Sequence, residues 1–458
     1  MGERNRMDTS QASRNGKPYL LPEKPFRSLD DYVAVGGLEA LKKAYSMPRE
    51  AIIAEIKKAG LRGRGGAGFP VAIKWTSLAT DPCPTKYVAC NATEGEPGTF
   101  KDRMLMRRNP YQLLEGVAIA AYVMKAQKAF IAMKHTFDEA IERTAQAHKE
   151  MSARNALGDI PIEFVYGPED YLLGEEKAML EVIEGREAMP REMDFPPYVL
   201  GLFAGYPACI PGHTNPTLVN NCETMSSVTH IIRNGADWFR SMGTADTPGH
   251  TIFTLSGDVQ REGLYELPMG TTMRELIEKS GGGLKPGRKL KAIFSGVASA
   301  GLYPEAIDTP LDFGSMRNAG SGLGSAGFMV YDDSNCMVQV AYIFSKFLWI
   351  ESCGQCRSCK EGTYEATVRL ENLINGTGDE IDLEAILHAS INSPRGNRCF
   401  LPTEHSLIIP SIVRTFESEF IAHYNRGCQN CRIPILPKMH DYDEATHEFH
   451  YTHGRLTP

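Results

Sequence analysis

The sequence predicts an α/β protein in three parts: a larger α/β domain, a small α+β unit and a C-terminal helical bundle. Three observations support this prediction. Apolar segments with strand character alternate with amphipathic helical segments between residues 86 and 185, which is typical of a mostly parallel sheet covered by helices. Short strands around one helix follow between residues 251 and 330. Helical periodicity then continues from residue 335 onward.

The composition is that of an ordinary globular protein. The chain has 458 residues, of which 42% are hydrophobic and 23% charged, enough for two to four domains. The net charge of −7 argues against binding to nucleic acid or to anionic membranes. The sequence shows no apolar run long enough to span a membrane and no secretion signal. We therefore expect a cytoplasmic protein, at most peripheral to a membrane complex, whose cysteines bind metal rather than form disulfides.

The first two parts of the chain are an N-terminal arm, residues 1–30, and the α/β domain, residues 31–245. Apolar Ile52, Ile53 and Ile56 share one face of the first helix, and Gly60 ends it. The expected elements are helix 48–59, strand 86–90, helix 110–126, strand 128–133, helix 136–151, strand 162–166, a helix within 169–185, a long loop over 196–216 and a helix ending at 230.

A glycine-rich stretch, GLRGRGGAGFPVAIKW, occupies residues 60–75. Its glycines let the backbone approach a ligand closely, and Arg62, Arg64 and Lys74 add positive charge, so it suits a phosphate or a flavin. The stretch matches neither the P-loop pattern nor the usual dinucleotide G-x-G-x-x-G. A flexible turn with solvated arginines is the alternative.

Polar side chains follow strand ends and begin helices in three further stretches. Glu94 and Glu96 follow the strand at 86–90, where ligands bind in α/β sheets, although a solvated acidic turn fits equally. Residues 174–176, Gly-Glu-Glu, start a helix, where carboxylates complement the helix dipole or bind a ribose. Residues 220–224 also begin a helix and predict an anion site or ordinary capping.

The α+β unit, residues 246–333, contains strands 251–256, 291–295 and 327–330 and helix 272–280. Its glycine-rich tract over 315–327 is either a second ligand loop or a linker. The bundle, residues 334–427, contains helices 335–350, 361–374, 383–391 and 404–424, and a tail over 428–458 follows it.

Cysteines in the bundle predict an iron–sulfur cluster. Cys353, Cys356 and Cys359 stand at two-residue intervals within ESCGQCRSCKEG, and Cys399 follows. Three thiolates on one loop plus a distant fourth can hold a [4Fe–4S] cluster, whereas zinc usually takes two separated C-x-x-C pairs.

The tail offers a second candidate metal site. Cys428 and Cys431 form one C-x-x-C, and four histidines follow, at positions 440, 447, 450 and 453. A Cys/His zinc site joining the tail to the bundle is one interpretation, and an extended tail docking on a partner is the other.

These motifs together carry a specific resemblance. RGRGGAGFP, EGEPGTFKDR, GEE, VNN-x-ET and ESCG-x-C-x-x-C-x-EG occur in this order. The sequence resembles the NADH-binding flavoprotein subunit of respiratory complex I and the diaphorase subunits of NAD-linked hydrogenases and formate dehydrogenases. The resemblance covers roughly residues 60–424.

The resemblance implies a Rossmann-like domain for FMN and NADH, then a ubiquitin-like β-grasp domain, then the bundle with its [4Fe–4S] cluster. It implies flavin contacts from Gly63, Gly65, Lys74, Asn91, Glu94, Tyr171, Gly174, Glu175, Asn220, Asn221 and Thr224. NADH contacts are implied for Phe69, Glu96, Glu176 and Tyr198. No side chain is expected to act as acid or base, because hydride passes directly between the two cofactors.

The implied function is transfer of a hydride from NADH to FMN and then of single electrons through the cluster. The expected partners are a thioredoxin-like [2Fe–2S] subunit and a further iron–sulfur electron-transfer subunit. A subunit of respiratory complex I proper is one alternative, and a flavin-free iron–sulfur or zinc scaffold is another. The glycine loop and the Asn220–Asn221 pair argue against the scaffold, which needs neither.

The sequence departs from the family pattern at four places. Thr93 stands where many members carry Asp, and Phe195 stands where some carry Lys. The segment 200–215 is longer than usual, and the surroundings of Cys399, GNRCFLPTEHS, are changed. These departures favour a soluble diaphorase complex over complex I, and they leave the choice between NADH and NADPH open.

Overall fold

A computed structural model of the chain describes residues 17–192, 201–202, 214–430 and 432–452. The first domain is built on a five-stranded sheet in the order β3-β2-β1-β5-β4. Its strands are β1 (Tyr87–Ala92), β2 (Lys128–Lys134), β3 (Ile162–Gly167), β4 (Gly201–Leu202) and β5 (Asn215–Asn221). All neighbours pair in parallel except β4, which runs antiparallel to β5. The predicted mostly parallel sheet is therefore confirmed.

Ten helices of the described chain belong to this domain. They are α1 (Leu29–Ala34), α2 (Glu39–Tyr45), α3 (Arg49–Ala59), α4 (Val71–Thr80), α5 (Lys101–Arg108), α6 (Pro110–Met124), α7 (Asp138–Ala153), α8 (Glu176–Ile183), α9 (Cys222–Asn234) and α10 (Ala236–Arg240). The helix α3 ends as expected at Gly60, whose φ of 70° is the left-handed conformation that favours glycine. A 3-10 turn, Tyr171–Gly174, precedes α8.

Two elements of this domain differ from the sequence prediction. The stretch Asn215–Asn221 is a buried strand beside β1, not the end of a loop. The stretch Lys101–Arg108 is a helix, although its charged residues suggested a loop. Both depend on contacts with distant parts of the chain, which a local pattern does not record.

The start of the described chain is held against the rest of the molecule. Backbone N–H groups of Tyr19, Leu20 and Leu21 donate to the carboxylate of Glu266, at 2.6, 2.9 and 2.8 Å. Leu20 is fully buried. These residues fall within the predicted N-terminal arm, and they bridge to the second unit of the protein.

The second unit is a four-stranded mixed sheet in the order β7-β6-β9-β8. Its strands are β6 (His250–Gly257), β7 (Gly263–Pro268), β8 (Leu290–Ser295) and β9 (Gly327–Asp332). β6 and β9 pair in parallel, and the other pairs are antiparallel. Helix α11 (Met273–Glu275) continues into a π-helical turn, Leu276–Ser280, and α12 (Phe313–Asn318) replaces part of the tract that suggested a linker.

The bundle contains α13 (Met337–Glu351), α14 (Arg357–Asn375), α15 (Glu380–Asn392), α16 (Leu401–Thr415) and α17 (Glu417–Ala422). The predicted single helix over 404–424 was wrong, because the chain breaks at Phe416 between α16 and α17. Helix α14 begins at Arg357, earlier than expected, so Cys359 lies in its first turn.

The tail folds back onto the first domain. Strands β10 (Met439–Asp443) and β11 (Glu448–Tyr451) form an antiparallel hairpin. Phe100, beside α5, shares a small core with Tyr442 and Phe449 of the hairpin. Arg103 of α5 donates to the carbonyl oxygen of Met439 at 2.8 Å. No helix within the described residues is long and apolar enough to cross a membrane.

Candidate functional site

A cleft of about 580 Å³ lies where the first domain, the second unit and the bundle meet. The first domain contributes the glycine-rich loop and the ends of β1 and β5, the second unit contributes residues 321–325, and the bundle contributes residues around Cys399. The cleft brings together many of the residues that the sequence singled out: Gly65, Asn91, Glu94, Glu96, Tyr171, Gly174, Glu175, Asn221 and Cys399.

The carboxyl ends of the parallel strands β1 and β5 form one wall of the cleft. Asn91 of β1 stands opposite Asn221 of β5 in the register of the sheet. The side-chain amide of Asn91 donates to the carbonyl oxygen of Gly174 at 2.8 Å, and Asn221 Oδ1 caps α9 by accepting from the Glu223 N–H at 2.9 Å. Thr93, the residue that replaces the family Asp, bonds to Asn91 Oδ1 at 2.7 Å through its hydroxyl.

The glycine-rich loop closes another side of the cleft. Its shape is fixed by the Gly63 N–H, which donates to the Phe69 carbonyl oxygen at 2.9 Å, and by the Arg64 N–H, which donates to Thr224 Oγ1 at 2.8 Å. A Cβ at Gly65 would stand 3.1 Å from the Cβ of Asn221, tighter than ordinary contact. The loop therefore needs glycine at position 65 to keep its approach to β5.

Several predicted contact residues lie behind or beside the cleft wall. Lys74 Nζ donates to the Val219 carbonyl oxygen at 2.8 Å and also pairs with Glu176. Asn220 Oδ1 accepts from the indole N–H of Trp75 at 2.8 Å. Phe69 is 53% exposed, so its ring is available to stack against a ligand. Tyr198 lies outside the described residues.

Glu94 borders the cleft, but its carboxylate serves the protein. Glu94 accepts from the Asp102 N–H at 3.0 Å and from Arg103 Nε at 3.0 Å. It thereby holds the first turn of α5, where a carboxylate also complements the helix dipole. Glu175 acts similarly on α8, because its Oε2 accepts from the N–H groups of Lys177 and Ala178, both at 2.9 Å.

A buried charge cluster that the sequence analysis did not identify lies at the base of the cleft. Lys101 Nζ is 2.8 Å from Asp102 Oδ1 and 3.0 Å from Glu223 Oε2, and all three side chains are nearly inaccessible. Asn221 Nδ2 donates to Asp102 Oδ2 at 2.6 Å. Burial raises the pKa of Asp102 to about 6. Lys101 and Asp102 both line the cleft and stand within the EGEPGTFKDR motif, which was the available signal.

Two carboxyl groups share one phenol on the bundle side. The Tyr171 hydroxyl is 2.6 Å from Glu96 Oε2 and 3.1 Å from Glu404 Oε1. Glu96 Oε1 also accepts from the Val297 N–H at 2.6 Å, which ties the first domain to the second unit. Burial raises the pKa of Glu96 and that of Glu404, and the Glu96 charge raises the Glu404 pKa further. Glu404 was missed because only the fold brings α16 to this place.

The glycine-rich tract of the second unit forms the remaining wall. Residues 321–325 line the cleft together with Ser299 and Arg317. Ser325 Oγ lies 2.7 Å from Thr99 Oγ1 of the first domain. Of the two interpretations of this tract, the ligand-loop interpretation agrees better with its position.

The four bundle cysteines converge on a second, much smaller cavity. Cys353, Cys356, Cys359 and Cys399 all line it. Cys399, Leu172 and Leu401 line both this cavity and the cleft, so one layer of side chains separates the two sites. Burial raises the pKa of the Cys359 thiol and brings the pKa of Cys399 to about 12. These thiols therefore need a cation to become thiolates, as ligands of iron do.

The residues of both sites fit the expected groups. Four thiols around one cavity are the donor set of a [4Fe–4S] cluster. A glycine-lined cleft with side-chain amides at strand ends and at a helix N-terminus fits a phosphorylated flavin.

The second predicted metal pair is arranged differently from the expectation. Cys428 Sγ lies near Cys336 and His423 of the bundle, with all three donor atoms within 4.8 Å of one another. Cys431 lies outside the described residues.

Family models match three stretches of the chain. Residues 56–230 match the Nuo51 FMN-binding domain, and residues 339–423 match the NADH-ubiquinone oxidoreductase-F iron-sulfur binding region. Residues 252–306 match the SLBB domain. The matches follow the three parts of the structure in order.

Similar proteins extend over most of the chain. The NADH-quinone oxidoreductase F-type protein numbered 2 of Rhizobium meliloti (strain 1021) is 41% identical over 406 residues, covering 86% of this chain and 94% of that protein. NADP-reducing hydrogenase subunit HndC of Solidesulfovibrio fructosivorans is 35% identical, covering 86% and 80%. A crystal structure of NAD+-reducing [NiFe]-hydrogenase in the H2-reduced state aligns with a TM-score of 0.76 and 31% identity, covering 88% and 68%.

Proposed function

The chain belongs to the family of NADH-quinone oxidoreductase F subunits and related hydrogenase subunits, and from this membership we propose which of its residues carry the electrons from NADH onward. Proteins of this family are NADH-oxidising flavoprotein subunits of multi-subunit oxidoreductases, with an iron–sulfur cluster for electron transfer. The chain is therefore an enzyme subunit that accepts electrons from NADH. The assignments below concern its own residues.

FMN is proposed to occupy the cleft against the ends of β1 and β5. Gly65, Asn91 and Asn221 would contact it directly, because they line this wall. Gly63, Lys74, Asn220 and Thr224 support the wall through hydrogen bonds to the loop and to the strands. When bound, FMN accepts a hydride from NADH and releases electrons singly.

NADH is proposed to enter over the exposed face of Phe69 and to reach Glu96. The Phe69 ring offers a stacking surface, and Glu96 is fixed between Tyr171 and Val297. The second-unit tract, residues 321–325, closes over the opposite side of the cleft. These groups position the nicotinamide, and none of them needs to exchange a proton.

The observation that carries the electron-transfer proposal is the shared wall between the two sites. Leu172, Cys399 and Leu401 line both the cleft and the cysteine cavity. A group bound in the cleft and a cluster held by Cys353, Cys356, Cys359 and Cys399 would therefore be separated by a single layer of side chains. The cysteine site lies where electrons that leave the cleft would enter the bundle.

We further propose a Rossmann-like first domain and a ubiquitin-like β-grasp second unit. The parallel sheet with the cleft at its carboxyl edge supports the first assignment, and the β7-β6-β9-β8 sheet around α11 supports the second. The proposed partners are a thioredoxin-like [2Fe–2S] subunit and a further iron–sulfur subunit. The printed names of relatives include both quinone-linked and hydrogenase complexes, which supports a multi-subunit setting.

Anaerobic purification of the full chain tests the proposal. We expect a flavin absorption band, a broad cluster absorption and about four irons per chain. Addition of NADH should bleach both absorptions. A chain that binds no flavin and no iron after reconstitution would contradict the proposal.

A further inference from the structure

A cluster of metal-ligating side chains lies far along the chain from the four iron–sulfur cysteines, where the tail leaves the bundle. Cys336 stands at the N-cap position of α13, His423 follows α17, and Cys428 begins the tail. Their donor atoms all lie within 4.8 Å of one another. Cys336 and His423 are nearly buried, at 4% and 8% exposure.

The imidazole of His423 is oriented as in a metal site. Its Nδ1 lies 2.7 Å from the Glu419 carbonyl oxygen, a distance at which Nδ1–H donates and Nε2 keeps its lone pair. Nε2 then points at Cys336 Sγ, 3.4 Å away. An outer hydrogen bond of this kind fixes the tautomer of histidines that bind metal.

The second thiol is held in place by its neighbours. The Cys428 N–H donates to the Ile374 carbonyl oxygen at 2.8 Å, and Gln339 Nε2 donates to Cys428 Sγ at 3.0 Å. A donor aimed at sulfur favours the thiolate over the thiol. The sulfur is thus prepared for the charge state that a metal ligand needs.

We propose that Cys336, His423 and Cys428 bind a zinc ion that fixes the tail to the bundle. Two thiolates and one imidazole suit zinc, and a tetrahedral zinc site separates such donors by roughly 3.5–4 Å, slightly less than in this cluster. The fourth position is left to water or to one further donor. Binding releases one proton from each thiol and involves no oxidation or reduction.

This site differs from the tail site expected from the sequence. The expectation joined Cys428 with Cys431 and the tail histidines, whereas the structure places Cys428 beside Cys336, 92 positions earlier by number, and His423. The difference arises because the break between α16 and α17 turns His423 back toward the start of α13.

The position of the site suggests its effect on the protein. Beyond Cys428 the tail passes Tyr331, whose hydroxyl donates to the Ile435 carbonyl oxygen at 2.8 Å. The Pro437 carbonyl oxygen then accepts from the Gly98 N–H at 2.7 Å, two positions after Glu96. A metal at Cys428 would anchor the tail just before it reaches the loop that borders the cleft.

Metal analysis of the full chain tests the proposal. We expect about one zinc per chain beside the cluster iron. The zinc should fall to background in Cys428→Ser and in His423→Gln, while the iron content stays unchanged. The matched control is Cys90→Ala, which removes a buried thiol of β1 and should keep the zinc.

A second measurement keeps the test independent of how the variants fold. Wild-type chain grown with cobalt in place of zinc should show the visible bands of a tetrahedral cobalt–thiolate site, and added zinc chloride should remove them. Absence of zinc and of these bands in the wild type would overturn the proposal, as would a Cys336–Cys428 disulfide found by mass spectrometry. Neither outcome bears on flavin or iron binding, so this proposal can fail alone.

Discussion

The Tyr171 hydroxyl lies 2.6 Å from Oε2 of Glu96, inside a contact that joins all three parts of the molecule. Glu96 belongs to the loop after β1, and its other oxygen accepts from Val297 of the second unit. Glu404 of the bundle reaches the same phenol. One hydroxyl hydrogen cannot serve two carboxylates, so burial of this group favours a proton on one carboxyl group, in line with the raised pKa of Glu404.

Replacing Glu96 by Gln should weaken NADH binding more than FMN binding. The charged carboxylate would be lost while the contacts to Tyr171 and Val297 remain available to the amide. Loss of one hydrogen bond to a charged group costs about 1.5–3 kcal/mol, so KM for NADH should rise roughly tenfold or more. Steady-state kinetics with an artificial dye and the flavin content measure the two effects. Glu163→Gln on β3 is the control, and an unchanged KM for NADH in Glu96→Gln would remove the assignment.

Replacing Gly296 by Ala should disturb Glu96 from the opposite side. Gly296 has a φ of 58°, and a Cβ there would stand 2.0 Å from Glu96 Oε1, so the carboxylate must move. We expect KM for NADH to rise and the melting temperature to fall. The matched control is Gly287→Ala, where φ is 78° and the space around the new Cβ is open.

The control variant carries only the backbone cost of a left-handed alanine, about 1 kcal/mol. Kinetic assays and thermal unfolding on both variants separate the two effects. Equal KM values for NADH in Gly296→Ala and Gly287→Ala would show that the Glu96 position does not matter for binding.

Replacing Cys356 by Ala should separate flavin chemistry from onward electron transfer. Cys356 lines the cysteine cavity but not the cleft, so the flavin wall stays intact. We expect FMN content and NADH oxidation by an artificial dye to persist, while iron content falls and electron delivery to the partner subunits stops. Loss of the flavin together with the iron would contradict this separation.

Acid should destabilise the protein through buried His405. Burial lowers the pKa of His405 to about 3, and its Nε2 lies 3.0 Å from Ser345 Oγ. Between about pH 6.5 and pH 3 the unfolded chain binds a proton at this residue that the folded chain does not. The contribution is therefore fully retained above pH 6.5 and lost as the pH falls, by about 2 kcal/mol at pH 4.5–5.

Thermal unfolding at pH 7.5 and pH 5 measures this effect. The melting temperature of His405→Gln should fall less between the two pH values than that of the wild type, because glutamine does not titrate and can still bond to Ser345. His440→Gln, at an exposed tail position, should behave like the wild type. Equal pH dependence of all three proteins would count against a neutral buried His405.

Local sequence signals identified the parts of the site that depend on local chemistry. Gly65 and Asn221 stand in motifs whose residue types matter by themselves, and both line the cleft. Cys353, Cys356 and Cys359 are close in sequence, so their convergence needed no knowledge of the fold. Cys399 could be added because only one further ligand was required.

The remaining parts depend on contacts between distant segments. Glu404 reaches Tyr171 only because α16 packs beside the 3-10 turn, and the sequence around Glu404 looks like an ordinary helix start. Strand β5 begins with Asn-Pro and ends with Asn-Asn, which is poor strand chemistry, yet it pairs along β1 in a buried position. Its strand character comes from that pairing and not from its own residues.

The hairpin of β10 and β11 has a consequence for how the molecule assembles during synthesis. Phe100, just before α5, is buried against Tyr442 and Phe449, more than three hundred positions later. Domains generally fold as the ribosome releases them, the N-terminal one first. This one would have to wait for the last residues of translation before its apolar surface is covered, and we expect nascent chains stalled before residue 439 to stay sensitive to protease around α5.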